Sequence, residues 1–269
     1  MKKVFELTNR YIIIGTPLIL FSLLSTIYLA VTARGAVINL LIGIVLFGLM
    51  TAAFIAGWFN MVKSIVIEPD RDDPNTLIKE FTPGVGEYFL PALGMLVNII
   101  VISLVILMIA SFAGMKLIGN PNISMEALNA ALQNPEALKG FLASLTKEQL
   151  IKINAWNLLL LASMAFTYFL ELLYLPAMFF KNKNPFIAFF IGLKDLFSRK
   201  FFQNLGIFVL IFVVYSIISI LSALFMGNVI LHFLMTLANF YFVAAAALGV
   251  FDYYYNNFVR LGKNIDERV

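Results

Sequence analysis

Apolar residues run almost unbroken along six stretches of this chain, 11–31, 36–61, 91–115, 155–180, 204–226 and 229–255. Each reaches the about 20 residues that a helix needs to cross a hydrocarbon core. A turn around Arg34-Gly35 joins the first two, and one around Gly227-Asn228 joins the last two. Connections that short impose antiparallel neighbours. The pattern therefore predicts an all-α integral membrane protein, a single polytopic domain over 1–269 with six transmembrane helices set as three antiparallel hairpins.

The polar stretches between the spans carry periodicity of their own. Asn184-Pro185 has the form of an N-cap followed by proline at the first helical position. Behind it Phe186, Phe189, Phe190, Leu193, Leu196, Phe197 and Phe201 recur at helical spacing, with Lys194, Asp195, Arg199 and Lys200 opposite. This predicts an amphipathic interfacial helix over 185–201, lying in the headgroup plane with its basic residues at lipid phosphates. A less regular counterpart over 75–81 precedes the third span and is expected to break at Pro83-Gly84. On the other side, 117–154 predicts a helical outer loop of three short elements: one from Ser124, one from Asn134-Pro135, and one from the capping box Thr146-Lys147-Glu148-Gln149 that leads into the fourth span.

Composition sharpens the assignment. Hydrophobic residues make up 61% of the chain and charged ones 13%, against about 25% charged in soluble domains, so no soluble fold has enough polar residues to coat it. Lys and Arg set the orientation: fourteen fall in 1–10, 61–90, 181–203 and 256–269, and five on the opposite side. The excess of basic residues marks the cytoplasmic face, which predicts a cell-membrane protein with N- and C-termini cytoplasmic. Trp58-Phe59, Tyr88-Phe89, Phe179-Phe180, Phe201-Phe202 and Tyr253-Tyr254-Tyr255 gather at that boundary, and Trp156 at the outer one. The net charge of +4 follows from this distribution and calls for no nucleic-acid partner. The run over 11–31 exceeds the core of a signal peptide and is read as a retained helix.

Placing Leu93-Gly94 on Leu205-Gly206 aligns two approach segments, and the ends of spans two, four and six share a turn toward aromatics and then Asn or Lys. The chain reads as three units, each a cytoplasmic approach segment followed by a helical hairpin. Gly57-Trp58-Phe59, the amphipathic stretch 185–201 and the close Phe251-Asp252-Tyr253-Tyr254 together resemble the membrane domain found beside bacterial glycerophosphodiester phosphodiesterases, and related stand-alone six-helix membrane proteins of unknown function. That resemblance implies a fold and a cell-membrane location, and no activity. The His-Arg and Glu-Asn metal signatures of those enzymes are missing from the sequence.

Candidate chemistry is sparse. There is no cysteine and one histidine, His232, which leaves no thiolate or multi-histidine metal site, and no cofactor fingerprint is visible. Glu171 lies well inside the fourth span, where a carboxylate costs several kcal/mol unless paired, hydrated or protonated. Asn98 is expected at the same depth, within reach of it. Glu171 and Asn98 are either a substrate- or ion-binding pair facing a cavity or a structural hydrogen-bonding acid and its neighbour. Lys194, Arg199 and Lys200 are the candidate lipid-headgroup contacts. Asn239 is expected to tie two helices together, and Asp252 to be solvated. The leading expectation is a non-enzymatic membrane protein that organises lipid or partner proteins, either as a homo-oligomer or with other chains. The alternatives are a small-solute or ion permease using Glu171, and a lipid-acting membrane enzyme.

Overall fold

A computed structural model describes residues 2–32, 37–132 and 134–260. Every regular element among them is helical. Six helices are long and apolar enough to cross a membrane: Ile12–Thr32, Ile42–Ile67, Pro74–Leu117, Lys147–Phe180, Phe201–Leu224 and Val229–Val259. The expected turn at Arg34-Gly35 lies outside the described residues.

The chain forms two compact units, residues up to Ile99 with those from Phe169, and Ile100–Tyr168. The first holds α1 (Lys2–Arg10), α2 (Gly15–Thr32), α3 (Val37–Ile67), the start of α4 (Phe81–Leu117), the end of α7 (Lys147–Glu171), α8 (Tyr174–Phe180), α9 (Pro185–Leu196), α10 (Phe201–Leu224) and α11 (Val229–Tyr254). A short 3-10 segment, Pro74–Glu80, leads straight into α4.

Its core sits at one end, around the largest buried side chains, Trp58, Tyr11, Tyr88, Tyr174, Tyr254 and Phe251. Tyr88 stacks on Phe179 at 4.2 Å between ring centroids, and Phe59 on Phe251 at 5.3 Å. The Trp58 indole donates to the Ile14 carbonyl at 2.9 Å, which satisfies its buried N–H. This end also carries Arg10, Lys63, Arg71, Lys181, Lys183 and Lys200, and is called the basic end below. Away from it, large apolar side chains such as Leu20, Leu24, Phe212 and Ile220 stand exposed. A contiguous apolar exterior of that kind needs lipid or a partner to cover it.

The approach segments follow one rule. The Pro74–Glu80 segment packs on α3, α9 packs on α8, and α1 packs on α11. Each lies on the span before it, and the first lies on the last, so the pattern closes on itself. The sequence reading passed over α1, because Lys2–Arg10 is polar in composition; yet Val4, Leu7, Thr8 and Tyr11 recur at helical spacing and line its inner face.

Several boundaries differ from the sequence reading. The α-helix of the third span, α4, begins at Phe81, ten residues before 91, and Pro83-Gly84 do not break it. Pro83 sits in the first turn, where its missing N–H has no helical partner. Gly84 is a packing contact: a Cβ there would stand 2.8 Å from the Ala56 carbonyl oxygen on α3. The interfacial helix stops at Leu196, and 197–200 form a turn into α10, so Phe201 belongs to the fifth span. The face of α9 that meets α8 is the row Ala188, Gly192 and Leu196, all buried and headed by two small residues, while Phe186, Phe190 and Phe197 are exposed. Close packing selects the small side chains for the protein side.

The second unit comprises the rest of α4 and α7 with α5 (Met125–Leu132) and α6 (Pro135–Ser144). Gly119, at φ +78, ends α4. Gly114 leaves room for Trp156, whose indole donates to the Gly119 carbonyl at 3.0 Å. Asn134 caps α6 through Glu136 N–H at 2.8 Å. Thr146 and Gln149 exchange hydrogen bonds of 2.9 and 3.2 Å at the start of α7, the reciprocal pair of a capping box.

Candidate functional site

The fourth span is two helices. Pro176 has no N–H for the Leu172 carbonyl, and its ring crowds that oxygen. α7 therefore ends at Glu171, Leu172 turns tightly onto the Phe169 carbonyl at 3.2 Å, and α8 resumes as Ala177 donates to Leu173 at 3.1 Å. Irregular backbone at membrane depth survives only where protein or water covers it. Here α9 covers it, with Gly192 against the Leu173 carbonyl. The proline was legible in the sequence. The break was not, because the apolar run continues through it without interruption.

Glu171 is the last residue of α7. Its Oε1 is buried with no hydrogen-bond partner among the described residues. Asn98 does not bond to it; Asn98 Nδ2 donates to the Tyr174 hydroxyl at 3.1 Å instead. Tyr174 stands one turn beyond Glu171 and takes the partner expected for the acid. Asn239 also departs from its expected role, since its Oδ1 is buried without a partner among the described residues. The His232 ring approaches the Ser222 carbonyl at 3.4 Å, a structural contact between α11 and α10.

At the basic end, charged side chains tie the approach segments to the spans. Lys181 pairs with Asp195 at 2.8 Å, and the Tyr254 hydroxyl donates to the same carboxylate at 2.6 Å. Asn204 donates through Nδ2 to the Leu196 carbonyl at 2.8 Å, closing the end of α9, and accepts through Oδ1 from the Tyr253 hydroxyl at 2.8 Å. Lys63 donates to the Tyr88 hydroxyl at 2.7 Å, and Lys183 pairs with Glu87 at 2.8 Å. Lys194 and Arg199 remain exposed, whereas Lys200 is half-buried and hydrogen-bonded to Asn257. Asp252, expected to be solvated, is half-buried and also paired: it accepts from Lys3 at 2.8 Å and from Asn256 at 3.0 Å.

Beside this network, α10 and α11 part to leave a groove of about 560 Å³, with Val4 and Phe5 of α1 along one edge. Its floor is the small-residue row Ala238, Ala245, Ala246 and Gly249, which falls on one face of a 3.6-residue helix. Its mouth carries Asp252, Tyr253, Asn256 and Asn257. The last two lie in a π-helical turn, Tyr255–Val259, that follows α11. Their amides bond back to the Asp252 and Tyr253 carbonyls, each at 2.8 Å, and hold the widened turn. The spacing of the small residues was the sequence signal for this groove; the π turn had none.

Among the described residues no three His, Cys, Asp or Glu side chains gather as a metal site. Comparison with protein-family models, curated proteins and solved structures finds no match.

Proposed function

We propose that this chain is a non-enzymatic, multi-pass protein of the cytoplasmic membrane, with both termini in the cytoplasm and three antiparallel hairpins, that organises anionic lipid around its basic end. The observation that carries this reading is α9. Ala188 and Gly192 face the protein, Phe186 and Phe190 of α9 and Phe197 of the turn after it face outward, and Lys194 and Arg199 stand exposed beside them. An apolar edge flanked by exposed cations suits the boundary between acyl chains and phosphates. The imbalance of basic residues, fourteen to five, places that boundary on the cytoplasmic leaflet. The resemblance to membrane domains beside bacterial phosphodiesterases agrees with this location.

The test is lateral redistribution of lipid. The full chain is reconstituted into vesicles holding a small fraction of fluorescent phosphatidylglycerol, and enrichment around the protein is read by energy transfer. Each basic residue at an anionic surface contributes about 1 kcal/mol, so Lys194→Glu with Arg199→Glu should abolish most of the enrichment. Equal transfer from anionic and zwitterionic probes for the unsubstituted protein would defeat the reading.

A second reading is favoured by the break at Glu171. Transporters of the broken-helix type put their sites where a span unwinds, and Glu171 Oε1 lies buried and unpartnered beside such a point. A small-solute or ion permease using Glu171 is therefore the alternative, and a flux assay decides it.

A further inference from the structure

The groove between α10 and α11 has the dimensions and polarity of a site for one lipid molecule. Its wall on α10 runs from Ile207 to Ile218, eleven residues or about 16 Å at the helical rise. That is half of a hydrocarbon core of about 30 Å, the depth of a single leaflet. Along that depth the lining is apolar apart from the Tyr241 hydroxyl, which is spent on Asn9, and the polar side chains Asp252, Tyr253, Asn256 and Asn257 gather at one end. A groove that served merely as a helix–helix contact would have no reason to change character at the depth where a headgroup begins.

The charges at the mouth favour an anion. Lys3 reaches Asp252 from α1, and Lys200 reaches Asn257 from the start of α10. Each ammonium has three N–H donors and spends one on its groove residue. The single carboxylate there is already answered by Lys3 and Asn256, so the mouth presents two cations against one anion. Two lysines brought to the mouth from different helices, each with donors left over, suit the phosphate of a phospholipid.

We propose that this groove holds one acyl chain of an anionic glycerophospholipid, with its phosphate received by Lys3 and Lys200 at the mouth. The site rests on the lipid-organising reading given above but is narrower than it: one stoichiometric lipid, held between named helices, rather than an enriched annulus. Phe5 stacks on Tyr241 at 6.4 Å, and Asn9 accepts from the Tyr241 hydroxyl at 2.7 Å. α1 is thereby pinned along the groove, so the N-terminal segment forms one lip of the site.

The experiment is native mass spectrometry of the full chain, extracted from vesicles of phosphatidylglycerol and phosphatidylcholine and stripped progressively in detergent. One phosphatidylglycerol should remain bound after the annular lipid is gone. Ala246→Phe fills the groove from a half-buried floor position and should lower retention at least tenfold for either lipid, while Ala238→Leu obstructs its far end should the first variant misfold. Lys3→Gln with Lys200→Gln leaves the apolar walls intact and should reduce the preference for phosphatidylglycerol about fivefold per lysine, the affinity equivalent of about 1 kcal/mol at an anionic surface. Retention unchanged in both groove-filling variants, or a preference unchanged in the double lysine variant, overturns the proposal. So does an unsubstituted protein that keeps no lipid. Enrichment by energy transfer without a retained lipid removes the groove site and leaves the organising role standing; a retained lipid without enrichment does the reverse.

Discussion

Gly192 of α9 lies directly against the carbonyl oxygen of Leu173, so that a Cβ added to it would stand 3.0 Å from that oxygen and 3.1 Å from the Tyr174 Cα. Both neighbours are backbone, held by the break at Glu171, and cannot swing aside as a side chain would. The seating of α9 and the discontinuity between α7 and α8 are thus one feature.

Gly192→Ala should therefore destabilise the protein although alanine is the better helix former. Overpacking of this kind costs about 1–3 kcal/mol, more than the up to about 1 kcal/mol that alanine gains in a helix. Gly206 on α10 has open space around it, and Gly206→Ala should be neutral or stabilising. Thermal unfolding of both variants in detergent checks the pair; equal midpoints would show that α9 does not seat on the break.

Asp195 holds α9 to the end of α11 through Lys181 and Tyr254. Its side chain is only 13% exposed, so the amide leaves Lys181 without its counter-charge and offers one acceptor oxygen where the carboxylate offered two. Asp195→Asn should cost about 2–4 kcal/mol, and Tyr254→Phe about 1–2 kcal/mol. Because the two share one hydrogen bond, a double-mutant cycle should show coupling above about 0.5 kcal/mol. Additive losses would mean that the pair acts independently.

The spans were legible because membrane helices must be long and apolar, a signal carried by composition alone. The helix starts at Asn134, Thr146 and Asn184 were legible because a cap needs a particular side chain at a particular place. What escaped notice depended on tertiary context. Gly84 and Pro83 have the composition of a loop, yet Gly84 is a contact with α3. Periodicity marks the phenylalanine face of α9 as apolar, and Phe186 and Phe190 stand exposed there, but it gives no sign that Ala188 and Gly192 are the side that packs on α8. Hydrophobic periodicity finds the core of a soluble helix, but in lipid both faces are apolar and residue size decides which one packs. Asn98 was placed at the correct depth for a polar contact, but depth along a helix does not fix which way a side chain turns, and Tyr174 took it.

The orientation is open to a direct measurement in this cysteine-free chain. Lys139→Cys on α6 and Lys194→Cys on α9 place thiols at exposed positions. The excess of basic residues predicts position 194 inside and position 139 outside. A membrane-impermeant maleimide applied to intact cells should label 139 alone, and 194 only after lysis. Labelling of 194 in intact cells would reverse the topology and move the α9 phenylalanines to the outer leaflet.

Glu171 separates the two functional readings, and its surroundings set the expected signs. A carboxyl oxygen that is buried without a partner contributes nothing to stability and carries a desolvation cost of about 1–3 kcal/mol. If its role is structural, Glu171→Leu removes that cost and should leave the unfolding midpoint unchanged or raise it. Glu171→Gln keeps a polar group of the same size with the same lack of partners, and should fall near the unsubstituted protein. Had Asn98 been its partner, leucine would have been the damaging change, so the Asn98–Tyr174 bond reverses the order of the two variants. If Glu171 instead binds a cation or a proton during transport, the stability order is the same, but both variants abolish flux in vesicles under an ion or proton gradient. Unfolding midpoints and flux, measured on one set of samples, therefore answer different questions. A midpoint lowered by leucine would reveal a partner for Glu171 that the packing does not show, and gradient-driven flux present in the unsubstituted protein and lost in both variants would overturn the lipid-organising reading in favour of transport.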